Sequence, residues 1–463
     1  MHLLAGVSIS LMLAMGASAQ QPADGTIRIN VRQVVVPVVV TDKKGHSVNA
    51  LRPSDFQIVE DGVPQDIVAF TREVASGSAS APAASAANAG AAGVTSTTTV
   101  PKQTWVICLD ALHTSVASFV RAKEAIDKLL SNKPRAEDRF VLLSVGRQLR
   151  VIQPATNDVS AVRAKLNSKE FANLQLESNS QQLSAAVNDV RRRMDLYCTG
   201  CACGRDASNR RSTCDVELQQ IRQELNARSE QFGMYDHSFF AQFKSVIEEL
   251  AKLDGRRNLI LISDGFTLMP GRELFATAGA YLPNSPYFKF DPERNMQTAL
   301  EQSLKAAAGE NVIISAIDAR GSYTPAARPG GSLDASNAAP GSTGRQEVIK
   351  RGGTNALRGG SLMDEIDSKW RSVEFDNGSA LSQLAKASGG LYFHDDNDLQ
   401  KGLREALDNN RETYVIAYVP KNSAQDGKFR QISVTVNSAN SKGGPMTIRA
   451  KSGYWAENAG TRQ

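Results

Sequence analysis

Two short β units flank a longer segment in which strands and helices alternate. Near the start of the chain, apolar residues alternate with polar ones, a pattern typical of a half-buried strand: Ile27, Ile29 and Val31. A β-branched run over 34–40 and two short apolar runs over 56–59 and 67–70 follow, so the pattern predicts an N-terminal β unit over 20–74. Three more apolar runs near the other end predict C-terminal β strands over 412–456, followed by a tail over 457–463.

The middle of the chain has the pattern of an α/β domain. Its apolar runs predict strands over 105–109, 140–145, 149–152, 259–262, 312–317 and 391–393. Apolar residues at helical spacing lie between these runs, and the longest such stretch predicts an amphipathic helix over 239–253. Alternating strands and helices favour a mostly parallel, doubly wound sheet with helices on both faces, which we place at 101–411.

Three segments interrupt this order. Residues 75–100 are almost entirely Ala, Ser, Gly and Thr, and this composition predicts a flexible linker. An insertion over 167–235 holds a cysteine cluster and many charges, and we interpret it as a solvated insertion stapled by disulfides, with a binding loop for an anionic partner as the alternative. A second insertion over 321–360 is rich in Gly, Ala, Ser and Pro, and we expect it to be disordered.

Neither terminal β unit is large enough to bury a sufficient core alone. We therefore predict that the two units pair into one β-sandwich, with the α/β domain inserted between them. The fold class is α/β, with a second unit built from N- and C-terminal strands.

The first residues have the pattern of an export signal. An apolar run over 3–15 is too short to span a bilayer, and Ala17, Ser18 and Ala19 form a small-x-small cleavage pattern. The pattern predicts a signal peptide over 1–19, although the run has no Lys or Arg before it, and a buried N-terminal strand or helix is the alternative. We expect a periplasmic or secreted protein with no transmembrane segment in the mature chain.

Composition excludes little beyond nucleic acid. The chain has 53 Lys and Arg against 48 Asp and Glu among 463 residues, and a net charge of +5 does not indicate a nucleic-acid partner.

Export changes the interpretation of the clustered cysteines, which are Cys198, Cys201, Cys203 and Cys214. In an oxidising compartment they favour two disulfides in any of three pairings, and a zinc-thiolate site is the alternative. Cys108 lies in an apolar run and is predicted to be a buried core residue.

Acidic residues follow three of the predicted strands directly. Asp110, Asp264 and Asp318 each come at or just after the last apolar residue of a run. In an open α/β sheet the carboxyl ends of the strands form the ligand crevice. The sequence therefore predicts a polar site at this edge.

Several segments together resemble the von Willebrand factor A-related family described as acidobacterial-type. They are VVVPVVVTDKKGHSVNALRPSDFQIVEDGVPQDIVAF, DRFVLLSVGRQLRVIQPAT, GRRNLILISDGF, IISAIDARG, ETYVIAYVPKNSAQDGKFRQISVTV and the closing GYW. The resemblance covers most of residues 27–456, apart from the linker and the two insertions. It implies a binding fold that holds one divalent ion at the top of the sheet.

The resemblance also implies which residues would hold that ion, Mg²⁺ or Ca²⁺. Asp110 matches the first acid of an Asp-x-Ser-x-Ser loop, but Leu112 stands at the first Ser position, where it cannot coordinate. Thr114 can replace the second Ser, and Asp264 matches the acid of the third loop. Ser238 is the candidate for the second-loop Thr. The alternative is that Asp110 and Asp264 cap helices or bond loop amides.

The hypothesis that follows is an exported binding protein that mediates protein–protein interaction or adhesion with an unknown protein ligand. We do not expect an enzyme, because the sequence has no H-E-x-x-H, G-x-S-x-G or phosphate-binding glycine loop. A metal-dependent hydrolase is one alternative, since His113 stands beside Asp110 and Thr114. A structural or metal-storage protein centred on the cysteines is another.

Overall fold

The computed structural model describes residues 33–49, 51–75, 95–100, 103–132, 134–136, 138–201, 212–253, 256–282, 285–291, 295–322, 378–437 and 445–458. The predicted signal peptide, the strand predicted at 27–31 and Cys203 lie outside these residues. So do the predicted disordered insertion from 323 onward and most of the predicted tail.

The described residues contain fifteen strands and nine α-helices, numbered here in chain order. The strands are β1 (Val34–Thr41), β2 (Phe56–Glu60), β3 (Val63–Gln65), β4 (Ile67–Ala75), β5 (Thr95–Val100), β6 (Thr104–Asp110), β7 (Arg139–Val145), β8 (Leu149–Thr156), β9 (Arg257–Ser263), β10 (Ile313–Asp318), β11 (Tyr392–Phe393), β12 (Glu412–Tyr418), β13 (Phe429–Val436), β14 (Thr447–Ala450) and β15 (Gly453–Trp455). The helices are α1 (Val116–Ser131), α2 (Val159–Leu166), α3 (Lys169–Asn173), α4 (Asn179–Cys201), α5 (Ser212–Leu250), α6 (Arg272–Tyr281), α7 (Gln297–Gly309), α8 (378–388) and α9 (Leu399–Asn409). Short 3₁₀ turns lie at Pro53–Asp55, Leu174–Glu177 and Pro286–Phe288.

Six strands form the mostly parallel sheet that the sequence predicts. Their order is β11-β10-β9-β6-β7-β8, and every neighbouring pair is parallel except β7 with β8. The chain adds strands on one side of β6 first and then returns to its other side, so the order reverses between β6 and β9. This reversal is the switch point at which open α/β sheets bind ligands.

Helices cover both faces of this sheet, and strand β6 contributes to both cores. Trp105, Ile107 and Leu109 pack with α1, α2 and α9 on one face. Val106 and Cys108 pack with α5, α7 and α8 on the other face. This division follows from the alternation of side chains along a strand. Cys108 is buried and unpaired, which confirms its predicted place in the core.

Strands from both ends of the chain build two further sheets, as predicted. The five-stranded sheet has the order β14-β1-β12-β4-β5, and the four-stranded sheet has the order β15-β13-β2-β3. Side chains of both sheets share one apolar core, in which Val36, Ile58, Tyr414 and Ile432 are buried. The N-terminal β1 and β2 therefore pair with the C-terminal β12 and β13, and the α/β domain lies between them in sequence.

The predicted linker over 75–100 is wrong at its C-terminal end. Residues 95–100 form β5, which pairs in parallel with β4 from Phe70↔Thr95 to Ala75↔Val100. The composition of the last six residues explains the difference, because Thr and Val are β-branched and favour strands. The many small residues in the rest of the segment dominated its composition, so the local preference of residues 95–100 for a strand was not predicted.

The insertion predicted over 167–235 is largely helical and continues into the next helix. Helix α5 begins at Ser212, well before the predicted start at 239, and runs for 39 residues without a break. Its N-terminal half packs against α4 and α6 around a core of its own, which includes Met194, Tyr197, Leu218 and Phe275. We call α4 together with residues 212–235 of α5 the helical arm.

A disulfide closes the far end of the helical arm. Cys201, the last residue of α4, is bonded to Cys214 in the first turn of α5, with an S–S distance of 2.02 Å. Cys198 is disulfide-bonded as well. The structure therefore supports the disulfide interpretation of the cysteine cluster rather than a zinc site at Cys201 and Cys214. No helix among the described residues is long and apolar enough to cross a membrane.

A lysine is buried where the β-sandwich meets the α/β domain. Lys451 follows β14 and is only 6% exposed. Its Nζ donates to Oδ1 of Asn311, two residues after the end of α7, over 3.1 Å. Burial lowers the pKa of Lys451 from its ordinary value of 10.5 to about 8.

We expect Lys451→Met to stabilise the protein near neutral pH by about 1–2 kcal/mol, because burial of the ammonium group is costly. The unfolded chain binds one more proton than the folded protein between about pH 8 and pH 10.5. The free energy of unfolding of the wild type should therefore rise with pH across this window, and the variant should lose that rise. Urea unfolding at several pH values measures both effects. Exposed Lys428 provides the control substitution, and an unchanged pH slope in Lys451→Met contradicts the prediction.

Candidate functional site

The polar residues predicted at the strand ends meet at the switch point. Asp110 is the last residue of β6, and Asp264 follows the last residue of β9. The backbone amide of Ser115, in the loop after β6, donates to Oδ2 of Asp264 over 2.9 Å. Two of the predicted site residues, Asp110 and Asp264, are therefore joined through one loop. We call the group Asp110, His113, Thr114, Asp236 and Asp264 the switch-point site.

The carboxylate of Asp110 organises the loop that follows β6. It is fully buried. Its Oδ1 accepts hydrogen bonds from the backbone amides of Leu112 over 3.0 Å and His113 over 2.9 Å. Its Oδ2 accepts from the Ser263 hydroxyl over 2.6 Å. The loop amides thus use Asp110 in the way that the alternative interpretation of the sequence proposed.

The imidazole of His113 joins Asp110 to a second buried carboxylate. Nδ1 lies 2.9 Å from Oδ2 of Asp110, and Nε2 lies 2.9 Å from Oδ1 of Asp236 in α5. Ionised carboxylates only accept hydrogen bonds, so both ring nitrogens donate and the ring carries a positive charge. Burial lowers the pKa of His113, but the charges and hydrogen bonds of the two carboxylates outweigh it and raise the pKa to about 10.

Aromatic side chains enclose the same ring. Phe239 contacts it edge-on with a centroid distance of 4.9 Å, and Phe266 lies at 5.4 Å. The imidazole is therefore held by carboxylates at its two nitrogens and by aromatic rings at its sides. Burial raises the pKa of Asp236, and the hydrogen bond and charge of His113 oppose this rise.

Leu112 belongs to the hydrophobic core rather than to the site. Its side chain is fully buried in the core between the sheet and α5, together with Val145 and Phe239. The position where the family pattern has a coordinating Ser is therefore used for packing here.

Thr114 and Asp264 each present a buried oxygen without a hydrogen bond. The Thr114 hydroxyl and Oδ1 of Asp264 have no hydrogen-bond partner in the described part of the chain. Burial raises the pKa of Asp264, although hydrogen bonds from Ser118 and Ser115 oppose this rise. These two oxygens are the groups that remain open to a ligand.

Ser238 makes its hydrogen bond to a backbone group outside the switch-point site, and its role as a metal ligand stays a prediction. Its hydroxyl donates to the backbone carbonyl of Arg147 over 3.1 Å. Asp236, two residues earlier in the same helix, reaches His113 instead. Residues two apart on a helix face different directions, so only one of the pair can point at the site. Asp236 was not among the predicted site residues, because the helix predicted from the sequence starts only at residue 239, whereas α5 starts at Ser212.

The residues present do not fit a divalent ion while His113 occupies its place. A carboxylate has about four lone-pair sites, and four donors already use those of Asp110. Mg²⁺ and Ca²⁺ need about six or more oxygen ligands, and a positive ring beside Asp110 repels a further cation. Among the described residues no group of three or more His, Cys, Asp or Glu side chains is arranged to hold a metal ion.

The third strand-end acid is neutralised within the protein. Asp318, at the end of β10, accepts from Nε of Arg320 over 2.9 Å. Arg121 of α1 supports the same loop by donating to the carbonyl of Ala319 over 2.8 Å. Asp318 and Arg320 thus form an ion pair at the rim of the crevice.

Both helices of the arm are attached to the switch-point site. The backbone amide of Asn179, the first residue of α4, donates to the carbonyl of Leu112 over 2.7 Å. The returning helix α5 contributes Asp236. Because α4 has 23 residues, the disulfide at its far end lies about 34 Å along the helix from the site. The arm therefore starts at the switch-point edge of the sheet.

Comparison with known proteins gives weak likenesses only. No family model and no curated protein sequence matches the chain. An aerotolerance-related membrane protein from Bacteroides fragilis is 12% identical and covers 66% of this chain and 98% of its own, with a TM-score of 0.28. BatB from Bacteroides thetaiotaomicron is 14% identical over 66% and 98%, with a TM-score of 0.27. The human COPII-coat protein Sec24c is 9% identical over 78% and 44%, with a TM-score of 0.26. At these TM-scores the likenesses carry no argument about fold or function.

Proposed function

We propose that this protein is an exported, von Willebrand A-like binding protein that holds a protein ligand at the switch-point edge and along the helical arm. The sequence segments that resemble the von Willebrand factor A-related family support the fold assignment. The reversal of strand order between β6 and β9 supports the place of the ligand.

The distribution of exposed apolar side chains carries this proposal. Within the described residues, the three most exposed large hydrophobic side chains are Leu176 (76%), Leu196 (72%) and Met234 (65%). Leu196 lies on α4, Met234 lies on α5 two residues before Asp236, and Leu176 lies in the turn before α4. Two of these three side chains lie on the helical arm, and exposed apolar surface favours a protein-binding role for it.

Hydrolysis is the less favoured alternative because His113 has no free nitrogen. A general base must accept a proton through an unprotonated nitrogen, and both nitrogens of His113 donate to carboxylates. We therefore propose binding without catalysis. Turnover of generic ester or peptide substrates by the wild type, abolished in His113→Ala, would overturn this choice.

Export outside the inner membrane is also part of the proposal. The small-x-small pattern before Gln20 and the disulfide between Cys201 and Cys214 support it. N-terminal sequencing of protein recovered from the periplasm or medium should begin at Gln20. A chain that keeps its first residues and stays in the cytoplasm contradicts export.

The binding proposal is tested by comparing ligand capture between matched surface variants. The full mature chain is immobilised and exposed to envelope extract, as wild type and as the double variant Leu196→Glu with Met234→Glu. Val68→Glu is the control, because Val68 is 51% exposed but lies on β4 in the β-sandwich. We expect a specifically retained protein to fall at least tenfold in the arm variant and to stay unchanged in the control, since a buried apolar contact is worth about 1.5–3 kcal/mol. Equal retention by the arm variant and the wild type contradicts the proposal.

A further inference from the structure

We propose that the positively charged side chain of His113 occupies the cation position of the switch-point site. The site then works without a bound metal, and it becomes a divalent-cation site only when His113 is removed. This inference does not rest on the proposed function, because metal binding is measured directly.

Four hydrogen bonds hold the carboxylate of Asp110. Among its four donors, the two loop amides and the Ser263 hydroxyl are fixed by the fold of the loop and of β9. His113 Nδ1 is the only one of these four donors that belongs to a charged side chain. Removal of the imidazole therefore frees one lone pair of Asp110 and leaves the loop otherwise held.

The imidazole ring of His113 is held on several sides. Asp236 accepts from Nε2 on the far side of the ring, while Phe239 and Phe266 pack against it. The side chain of His113 is 11% exposed, and its partners Asp110 and Asp236 are buried further. A positive ring between two carboxylates balances their charge as a bound cation does. The ring is thus a built-in counter-ion for the site.

Two further oxygens of the switch-point site are available as cation ligands. Thr114 Oγ1 and Asp264 Oδ1 are buried and lack hydrogen-bond partners among the described residues. With Asp110 freed, three protein oxygens from the loops after β6 and β9 become open to one hard cation, and water can complete its shell. Asp236 would restore the negative charge that attracts such an ion.

The test measures cation binding to the full mature chain with and without the imidazole. Calorimetric titration with MgCl₂ and MnCl₂, together with the electron paramagnetic resonance of free Mn²⁺, is applied to the wild type and to His113→Ser. We expect no saturable binding by the wild type up to about 10 mM and binding by the variant at least tenfold tighter than that limit. Adding Asp110→Asn to His113→Ser should abolish the new binding.

His46→Ser is the matched control. His46 makes the same kind of contact, from Nδ1 to Asp42 over 3.3 Å, but on an exposed turn of the β-sandwich. We expect this variant to bind no more cation than the wild type. His113→Gln, which is neutral and close in size, replaces His113→Ser if circular dichroism shows that the serine variant is unfolded. Saturable Mn²⁺ binding by the wild type at or below about 10 mM overturns the inference. A folded His113 variant that binds no cation overturns it equally.

Discussion

Asp110→Ala should lower the free energy of unfolding by about 3–5 kcal/mol, the largest effect expected for a single polar residue of this protein. The substitution removes the acceptor of four hydrogen bonds in a fully buried position. It also leaves the positive ring of His113 with one carboxylate instead of two. Urea unfolding followed by tryptophan fluorescence measures the change.

Two further variants separate charge from shape at the same position. Asp110→Asn keeps the size and one acceptor oxygen, so we expect roughly half of the loss. Asp127→Ala removes the partner of Arg163 in a half-exposed ion pair at 2.8 Å, and it should cost at most about 1 kcal/mol. If Asp110→Ala costs no more than Asp127→Ala, Asp110 does not organise the loop as described.

Arg256→Ala should be nearly as harmful, with a loss of about 3 kcal/mol, because it breaks a buried ion pair between the two parts of the fold. The guanidinium group is 6% exposed and lies 2.8 Å from Oε2 of Glu73 in β4. It also donates to the backbone carbonyl of Asn410, just before β12. Burial lowers the pKa of Arg256, while its ion pair with Glu73 opposes this shift. The substitution leaves that carboxylate and a buried carbonyl without a donor.

Differential scanning calorimetry is the informative measurement for Arg256, since the residue joins the start of β9 to the β-sandwich. We expect the variant to unfold at a lower temperature, with a broader transition as the two parts lose their coupling. Arg192→Ala is the control, because Arg192 is 76% exposed and its ion pair among the described residues is with Asp189, in the preceding turn of its own helix. An identical transition in both variants contradicts a role for Arg256 at the junction.

The sheet was predictable from the sequence because each of its strands carries its own local signal. The apolar run around Ile107 and the acid that ends it predict both a buried strand and a residue at the ligand edge, and Asp110 lies there. The same holds for the run that ends before Asp264. Local patterns of this kind require only that a strand be buried on both faces.

Features that depend on distant partners were missed or placed wrongly. Asp236 meets His113 across 123 positions of sequence, and nothing near either residue indicates the contact. The early start of α5 did have a signal, since Cys214, Leu218, Ile221 and Leu225 recur at helical spacing. The charges around them dominated the interpretation of that segment.

Pro37 lies in β1, a strand that is internal to its sheet. A proline within a β-branched run favours an edge strand, yet β1 lies inside its sheet, between β14 and β12. The pairing with β14 covers only Val38 to Thr41, so it begins just after the proline. β1 is therefore internal, but it has no hydrogen-bonded neighbour on the β14 side at Pro37, the residue that has no amide hydrogen to donate.

The long sequence separation between paired strands of the β-sandwich has a consequence for folding during synthesis. The hydroxyl of Tyr418 donates a hydrogen bond to Glu60, which lies 358 positions earlier in the sequence. β1 pairs with β12 over a similar sequence separation. During synthesis, β1 and β2 are made before most of the chain and remain without β12 and β13 until these strands appear. Contacts of such long range are slow to form, and unpaired strand edges are prone to aggregate in the interval. All strands of the α/β domain precede β12 in the chain, so its sheet can be complete before β12 is available to pair with β1 and β4.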